Sequence, residues 1–227
     1  MQEENLRQSL RRVALALDQL NVNWFLEGGS CLGYVRDGHP IAWDLDIDIG
    51  IYDSNVDFRM LRRLLPINVL FGFGATVTEA TMYWPTRVDL FRFFDYRGSV
   101  AEAMFMVKPK GQPPEAKFFL YPKEIFEAGV ERVQFCGVEC NALRRSHDYC
   151  RTLYGESYLV PDPHYHWWDG PRNGVLVELE GVFAVESIWS RVYRVWRTQG
   201  ATSVAQKALR RIGRQAAALV PRAGGKK

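Results

Sequence analysis

The segment Trp43-Asp44-Leu45-Asp46-Ile47-Asp48-Ile49-Gly50-Ile51 carries the pattern from which the fold and the chemistry of this sequence are inferred. Acidic residues or glycine alternate along it with apolar residues, which is typical of a β-strand with one buried face. All three aspartates are therefore expected to point the same way. Three like charges on one strand face repel one another unless a cation neutralises them, so the segment predicts a divalent metal site.

The spacing along a strand leaves two pairs of aspartates as candidate metal ligands. Neighbours on one strand face lie about 6.6 Å apart along the axis, so Asp46 can share an ion either with Asp48 or with Asp44. Asp44 and Asp48, at roughly 13 Å in a regular strand, cannot easily do so. Oxygen ligands without histidine or cysteine beside them favour Mg²⁺ or Mn²⁺ over zinc, and these ions usually act on phosphates.

A glycine turn upstream offers groups that bind phosphate. The short apolar run Trp24-Phe25-Leu26 precedes Gly28, Gly29 and Ser30, which predicts a strand, a turn and a short helix capped by Ser30. Backbone N–H groups and a hydroxyl at the start of a helix can hold a phosphate. Ser30 precedes Asp44 by only 14 residues, and the two motifs together indicate function more strongly than either one alone.

A third carboxylate is expected on a neighbouring strand. Residues 75–81 and 87–94 are rich in strand-forming residues and are separated by a short connection, which predicts a strand pair. The second of these strands carries Asp89 between two apolar residues. Asp89 is therefore the candidate third carboxylate of a two-metal arrangement.

Other local patterns predict the elements around this site. Apolar residues at steps of three and four predict an amphipathic helix over residues 4–20, namely Leu6, Leu10, Val13, Leu17 and Leu20. The dipeptide Cys136-Gly137 between two short strand-like runs predicts a hairpin. Residues 146–154 predict a helix that ends at Gly155. We expect an α/β (α+β) fold in which a small mixed sheet is flanked by helices.

Length and composition fit one globular domain with at most an appendage, since 227 residues include 47% hydrophobic and 24% charged residues. They exclude a disordered chain, a collagen-like chain and a disulfide-stabilised miniprotein. The four cysteines are too few and too irregularly spaced for a disulfide framework, and the N-terminus lacks the pattern of a secretory signal. We expect a cytoplasmic protein, peripheral at a membrane surface if it binds one.

The combined motifs resemble the LicD/fukutin family of phosphotransferases, a branch of the polymerase-β-like nucleotidyltransferases. The resemblance extends over roughly residues 22–163 and departs from the usual pattern at Ala42, where many relatives have proline, and at Leu45, where many have an acidic residue. The matching segments are Glu27-Gly28-Gly29-Ser30-x-Leu32-Gly33-x-x-Arg36-Asp37-Gly38, Ile41-x-Trp43-Asp44-x-Asp46-Ile47-Asp48-Ile49-Gly50 and Val88-Asp89-Leu90-Phe91.

The resemblance implies a nucleotidyltransferase-type fold and an activity. A phospho-alditol or phosphocholine group would pass from a CDP-linked donor to the hydroxyl of a glycan or glycolipid, and CMP would leave. Mg²⁺ or Mn²⁺ would be bound by Asp46 and Asp48 with Asp89 as the third carboxylate, and Asp89 would also assist deprotonation of the acceptor. The residues implied to bind the donor are Gly28, Gly29, Ser30 and Arg36.

Charge divides the sequence into two parts. Residues 181–227 contain ten basic residues and one acidic residue, a net charge of +9. The whole chain has a net charge of +3, so residues 1–180 carry −6. We expect residues 1–180 to form the catalytic domain and residues 181–227 to form a basic, amphipathic helical extension. An apolar stripe in residues 188–220 favours an anionic membrane surface as its partner over nucleic acid, which we do not expect to bind. Docking on the acidic body or on another subunit is the alternative.

Three other functions are compatible with parts of the pattern. A nucleotidyltransferase would use the same metal site but pass the nucleoside monophosphate itself to the acceptor. A scaffold protein would retain the fold without the chemistry, although every carboxylate that the mechanism needs is present. A glycosyltransferase with a D-x-D metal site would not explain the glycine turn upstream.

Overall fold

The structure of the chain, a computed structural model, describes residues 2–52, 56–73, 76–83, 85–106, 115–162, 165, 175–177 and 182–186. These residues form a mixed α/β fold, as the sequence predicts. The helices are α1 (Gln2–Gln19), α2 (Gly28–Asp37), α3 (Phe58–Leu61), α4 (Lys123–Glu127) and α5 (Ser146–Tyr154). The strands are β1 (Trp24–Leu26), β2 (Asp46–Ile51), β3 (Ile67–Phe73), β4 (Thr76–Met82), β5 (Arg87–Tyr96), β6 (Ser99–Met106), β7 (Glu115–Tyr121), β8 (Val130–Phe135), β9 (Val138–Leu143), β10 (Val175–Val177) and β11 (Val182–Glu186).

Nine of the described strands belong to one mixed sheet. Seven follow the order β10-β7-β6-β5-β4-β3-β11, and β2 pairs with β5 and with β1. The long strand β5 has two partners on one side, because its first half lies parallel to β2 and its second half lies antiparallel to β6. This arrangement places the predicted aspartates of β2 and β5 on adjacent strands.

Helix α1 contacts β2, β5 and β9 and closes one side of the core. The predicted apolar stripe packs inward, since Leu6, Leu10, Val13 and Leu17 are buried. Leu20 differs from the prediction and is 43% exposed. It lies beyond the end of α1, next to Asn21, whose positive φ of 52° turns the chain toward β1.

The predicted strand pair, the hairpin and the helix over residues 146–154 are confirmed. β4 and β5 pair antiparallel with Thr81 opposite Asp89. β8 and β9 form the hairpin, in which Cys136 and Gly137 both have positive φ, as a tight two-residue turn requires. Helix α5 ends at Gly155, whose N–H donates to the carbonyl of Arg151. The four cysteines are free thiols.

The sheet is larger than the small one expected, because β3, β6 and β7 had no recognisable alternation in the sequence. The domain boundary expected at residue 180 stays a prediction. β11 begins at Val182 and lies beside β3 in the sheet. The first compact unit of the chain ends at Val185. The predicted helical extension from residue 187 onward lies outside the described residues. Within the described residues, no helix combines the length and the hydropathy that a bilayer crossing needs.

Candidate metal centre

The parallel pairing of β2 with β5 brings the predicted carboxylates together. Asp46 is the register partner of Arg87, and Asp48 is the register partner of Asp89. Successive side chains of a strand point to opposite faces, so the intervening Ile47 faces the core and is only 2% exposed. The alternation read from the sequence is present from Asp46 onward.

Three aspartates come close enough to share an ion. Carboxylate oxygens of Asp44, Asp46 and Asp48 all lie within 4.8 Å of one another. The expectation that Asp44 and Asp48 are too far apart is wrong, because β2 begins only at Asp46. Asp44 lies in a turn, where its N–H donates to the carbonyl of Ile41 over 2.9 Å, and this turn folds its carboxylate back toward the strand.

The glycine turn packs directly against these carboxylates. The N–H of Gly29 donates to Asp48 Oδ2 over 3.2 Å. A Cβ atom at Gly29 would lie 2.3 Å from Asp44 Oδ2, and one at Gly28 would lie 3.0 Å from Asp48 Oδ2. Gly28 also has a positive φ of 48°, a conformation that side chains other than glycine rarely adopt. The two glycines are therefore needed for the carboxylates to approach the start of α2.

Ser30 does not cap α2, contrary to the prediction. The helix begins at Gly28, and its N-cap residue is Glu27. Ser30 lies in the first turn, where its Oγ accepts a hydrogen bond from the N–H of Asp48 over 3.0 Å. Its hydroxyl therefore links α2 to β2. The part of Gly28, Gly29 and Ser30 in phosphate binding stays a prediction.

Asp89 lies beside the aspartate cluster in a different environment. It is 2% exposed, and Thr81 Oγ1 donates to its Oδ1 over 2.5 Å. Arg87 Nε lies 2.7 Å from Asp89 Oδ2, and Arg87 Nη1 lies 3.6 Å from Asp46 Oδ2. Asp89 is thus adjacent to the predicted metal ligands but engaged by Arg87. Its role as the third metal ligand stays a prediction.

Arg36 lies at the other end of α2 from the glycine turn. Seven positions separate it from Gly29, or about 10 Å along the axis of an α-helix. Its guanidinium forms a two-point contact with its neighbour Asp37, with distances of 2.9 and 2.7 Å. No described contact joins Arg36 to Asp44, Asp46 or Asp48. Its role near the diphosphate stays a prediction.

The structure adds buried carboxylates that the sequence analysis missed. Glu27 accepts a 2.6 Å hydrogen bond from the hydroxyl of Tyr149, which in turn accepts one from the N–H of Gly28. Glu102 accepts a 3.0 Å hydrogen bond from the hydroxyl of Tyr121. Glu102 interrupts an apolar run on β6, and this charged residue inside an apolar strand is the signal that would have pointed to it.

Negative charge accumulates around the site, and the pKa values reflect it. Burial raises the pKa of Asp48 well above its ordinary value, and the charges of Glu27 and Asp46 raise it further. Burial, the hydrogen bond with Asp46 and the charge of Asp46 raise the pKa of Asp44 to about 7. Burial also raises the pKa of Glu102 to about 8, with a further contribution from Asp48. Each shift reports that an additional negative charge is unfavourable here.

The residues fit a divalent cation. Three carboxylates converge within 4.8 Å, and the glycines leave the space that their oxygens need. The donor set contains only oxygen atoms, the ligands that Mg²⁺ and Mn²⁺ prefer. A bound cation would also remove the electrostatic cost that raises the pKa values of Asp44 and Asp48.

The chain is similar to known proteins. Human ribitol-5-phosphate transferase FKTN is 24% identical over 203 residues, which cover 85% of this chain and 41% of that protein. Mouse ribitol 5-phosphate transferase FKRP is 47% identical over 90 residues, covering 38% of this chain and 17% of that protein. The chain therefore spans less than half the length of these curated relatives. The lincosamide antibiotic adenylyltransferase LnuA, solved with lincomycin bound, superposes with a TM-score of 0.39 at 12% identity, over 63% of this chain and 84% of that chain.

The match to a protein family covers the whole site. The model of the LicD/FKTN/FKRP nucleotidyltransferase domain matches residues 21–142. This range is more than half of the chain and contains the glycine turn, the three clustered aspartates and Asp89. The chain belongs to the LicD/FKTN/FKRP family, and residues 21–142 are its nucleotidyltransferase domain.

Proposed function

We propose that this domain is a metal-dependent phosphotransferase that moves ribitol phosphate from CDP-ribitol to a glycan hydroxyl and releases CMP. The observation that carries the proposal is the convergence of Asp44, Asp46 and Asp48 within 4.8 Å at the glycine turn of α2. Ribitol phosphate is the preferred group because FKTN and FKRP are both named as transferases of it. Glycerol phosphate and phosphocholine are the next candidates from the family resemblance.

In the reaction, the acceptor oxygen loses its proton and approaches the negatively charged diphosphate of the donor. The acceptor oxygen forms a new bond to the phosphorus of the transferred group, while the bond from that phosphorus to the CMP oxygen breaks and CMP leaves with the electron pair. A Mg²⁺ or Mn²⁺ ion bound by the aspartates supplies charge neutralisation on the diphosphate. Without this neutralisation, the negative charge of the diphosphate would repel the acceptor oxygen.

Residues of this chain perform the remaining tasks in the proposed reaction. Asp46 and Asp48 would hold the metal together with Asp44. Asp89, on the adjacent strand, takes the proton of the acceptor hydroxyl. The glycine turn at the start of α2 lies beside the aspartates, where the donor phosphate would bind. The N–H groups of Gly28 and Gly29 already donate to Tyr149 and Asp48 in the structure.

Nucleotidyl transfer is the second candidate, because the matched domain is named for that chemistry. The two reactions differ in the product that carries the base. In the proposed reaction the glycan gains ribitol phosphate and CMP is free. In nucleotidyl transfer from CTP the acceptor gains CMP and diphosphate is free.

A product analysis separates these reactions. The full chain would be incubated with Mg²⁺, a panel of glycan acceptors and CDP-ribitol, CDP-glycerol, CDP-choline, CTP or UDP-glucose in separate reactions, followed by mass spectrometry. We expect CMP and a glycan heavier by one ribitol phosphate from CDP-ribitol only, and no product with EDTA. Diphosphate from CTP with a CMP-modified acceptor would favour nucleotidyl transfer instead.

We also propose that residues 188–220 bring the enzyme to an anionic membrane surface, where a lipid-linked glycan acceptor would lie. The support is the sequence pattern alone, a basic segment with an apolar stripe. Deletion of the residues after Ser203 should release the protein from liposomes that contain anionic lipid. Equal sedimentation of the full and shortened chains with these liposomes would contradict the proposal.

A further inference from the structure

Arg87 occupies a position that conflicts with metal binding. Its guanidinium lies 2.7 Å from Asp89 Oδ2 and 3.6 Å from Asp46 Oδ2, so it bridges the two strands that carry the acidic residues. Asp46 also belongs to the cluster that can hold an ion. A guanidinium and a divalent cation therefore compete for the same carboxylate.

The burial of the partners indicates which of them moves. The side chain of Asp89 is only 2% exposed, whereas that of Arg87 is 45% exposed. Thr81 fixes the other carboxylate oxygen of Asp89, and β5 pairs with strands on both sides in this region. The Asp89 side chain is therefore held in place. The long Arg87 side chain reaches solvent and can change its conformation without disturbing the sheet.

The chemistry of the guanidinium indicates where it would go. Arginine is always charged and carries several N–H donors in a planar fork that matches two oxygens of a phosphate. Arg87 is the register partner of Asp46, so its side chain starts at the rim of the aspartate cluster. A diphosphate held at that cluster would therefore be close to the Arg87 guanidinium.

We infer that Arg87 is an internal cation that holds Asp46 and Asp89 whenever no metal is bound, is displaced by a divalent metal, and then binds the diphosphate of the donor. The inference rests on the proposed function for its last step only. Displacement by the metal concerns residues of this chain alone. The metal and the donor thus bind in order, because the donor contact becomes available only when the metal has released Arg87.

Displacement is measured directly on the wild-type chain. The Nε–H group of Arg87 gives a resonance in ¹H–¹⁵N spectra, assigned by its loss in R87K. We expect this resonance to shift on titration with Mg²⁺ alone and to shift again when CDP-ribitol is added. A resonance that Mg²⁺ at saturation leaves unchanged would overturn the inference.

Competition is measured by calorimetric titration of metal-free protein with Mn²⁺. R87M should bind Mn²⁺ about tenfold more tightly than the wild type, because a competing positive charge is removed. R132M is the matched control. Arg132 is also about half exposed (47%), and it forms an ion pair of 2.9 Å with Asp18, which does not belong to the cluster of Asp44, Asp46 and Asp48. It should bind Mn²⁺ as the wild type does. Equal or weaker Mn²⁺ binding by R87M would contradict competition.

R87K keeps the experiment informative if R87M does not fold with Asp89 left unpaired. Lysine retains the positive charge but lacks the fork that bridges two carboxylates, so R87K should bind Mn²⁺ with an affinity between those of the wild type and R87M. An R87K protein that binds Mn²⁺ more weakly than the wild type would count against the inference.

Titration with CDP-ribitol separates the inference from the proposed function. At saturating Mg²⁺, R87M should bind CDP-ribitol at least tenfold more weakly than R132M does. If the wild type binds CDP-ribitol and R87M binds it equally well, the role of Arg87 is overturned while the proposed function stands. If the wild type binds no CDP-ribitol but Mg²⁺ still shifts the Arg87 resonance, the proposed donor is wrong and the internal cation is confirmed.

Discussion

The two faces of the β2–β5 strand pair contrast sharply in composition and in energetic effect. One face carries Ile47, Ile49, Val88 and Leu90, none more than 2% exposed, in the core against α1. The other carries Asp46, Asp48 and Asp89 with Arg87. Burial of the first face stabilises the domain, whereas burial of carboxylates costs free energy unless a cation compensates them. The same strands thus provide stability on one side and a charged site on the other.

Neutralising the acidic face should produce the largest change in activity and no loss of stability. We predict that Asp46→Asn combined with Asp48→Asn lowers CMP release from CDP-ribitol by ~10³-fold or more, because charge neutralisation at the diphosphate is lost. The same variant should melt at a higher temperature than the wild type in EDTA at pH 8, since two repelling charges are gone. Calorimetric melting and an assay of CMP release measure the two effects. A variant that loses activity because it melts at a lower temperature would contradict this contrast.

Asp89 tests whether the acidic face includes the neighbouring strand. We predict that Asp89→Asn leaves the fold intact and abolishes turnover, because asparagine cannot accept the proton of the acceptor. Asp95→Asn is the matched control, as Asp95 lies on the same strand and is 64% exposed. This control should retain wild-type turnover with an unchanged circular dichroism spectrum. Retained turnover in Asp89→Asn would rule out the proposed role.

The apolar face should respond in the opposite way. Leu90 is fully buried, so Leu90→Ala should lower the free energy of unfolding by about 2–5 kcal/mol through lost burial and a residual cavity. Urea denaturation measures this change. In the folded fraction, Mn²⁺ affinity should remain within about twofold of the wild type, because Leu90 points away from the carboxylates. A variant with wild-type stability but impaired Mn²⁺ binding would show that the two faces are not separate.

A smaller effect is expected from pH in the absence of metal. Burial raises the pKa of Glu102 to about 8 and that of Asp44 to about 7, above the values of the unfolded chain. The folded protein therefore binds more protons than the unfolded protein between about pH 4 and pH 8, and its stability falls as pH rises through this range.

The measurement is the melting temperature in EDTA at a series of pH values from 5 to 8.5. We expect the melting temperature to fall as the pH rises. Mg²⁺ should restore the melting temperature most strongly at the alkaline end of the series, because metal binding favours ionised carboxylates. A metal-free melting temperature that rises steadily to pH 8 would mean that these carboxylates are compensated within the protein itself.

The sequence predicted the parts of the site that depend on local periodicity. Alternation along β2 identified Asp46 and Asp48 as neighbours on one face, and the apolar residues around Asp89 identified its strand. Asp44 was misjudged because its position depends on the turn at Ile41, which alternation does not describe. These residues illustrate that a strand's period is encoded locally, whereas the position of its first residue is not.

Features that depend on distant residues were not predicted. Glu27 is held by Tyr149, 122 positions away along the chain, and no local pattern connects them. β3 and β6 lack the alternation of a half-buried strand, so the extent of the sheet was underestimated. The pairing of Arg87 with Asp46 likewise depends on the register between two strands that are separated by 35 residues. Such contacts are fixed by tertiary packing.

Calorimetric titration of CDP-ribitol into the full chain, with and without Mg²⁺, tests the central claim most directly. The wild type is compared with Asp46→Asn plus Asp48→Asn, whose folding is checked by its melting temperature. The account predicts binding by the wild type only in the presence of Mg²⁺ and no binding by the folded double variant. Equal binding of CDP-ribitol by both proteins, or binding by the wild type in EDTA, would contradict a donor site built on these aspartates.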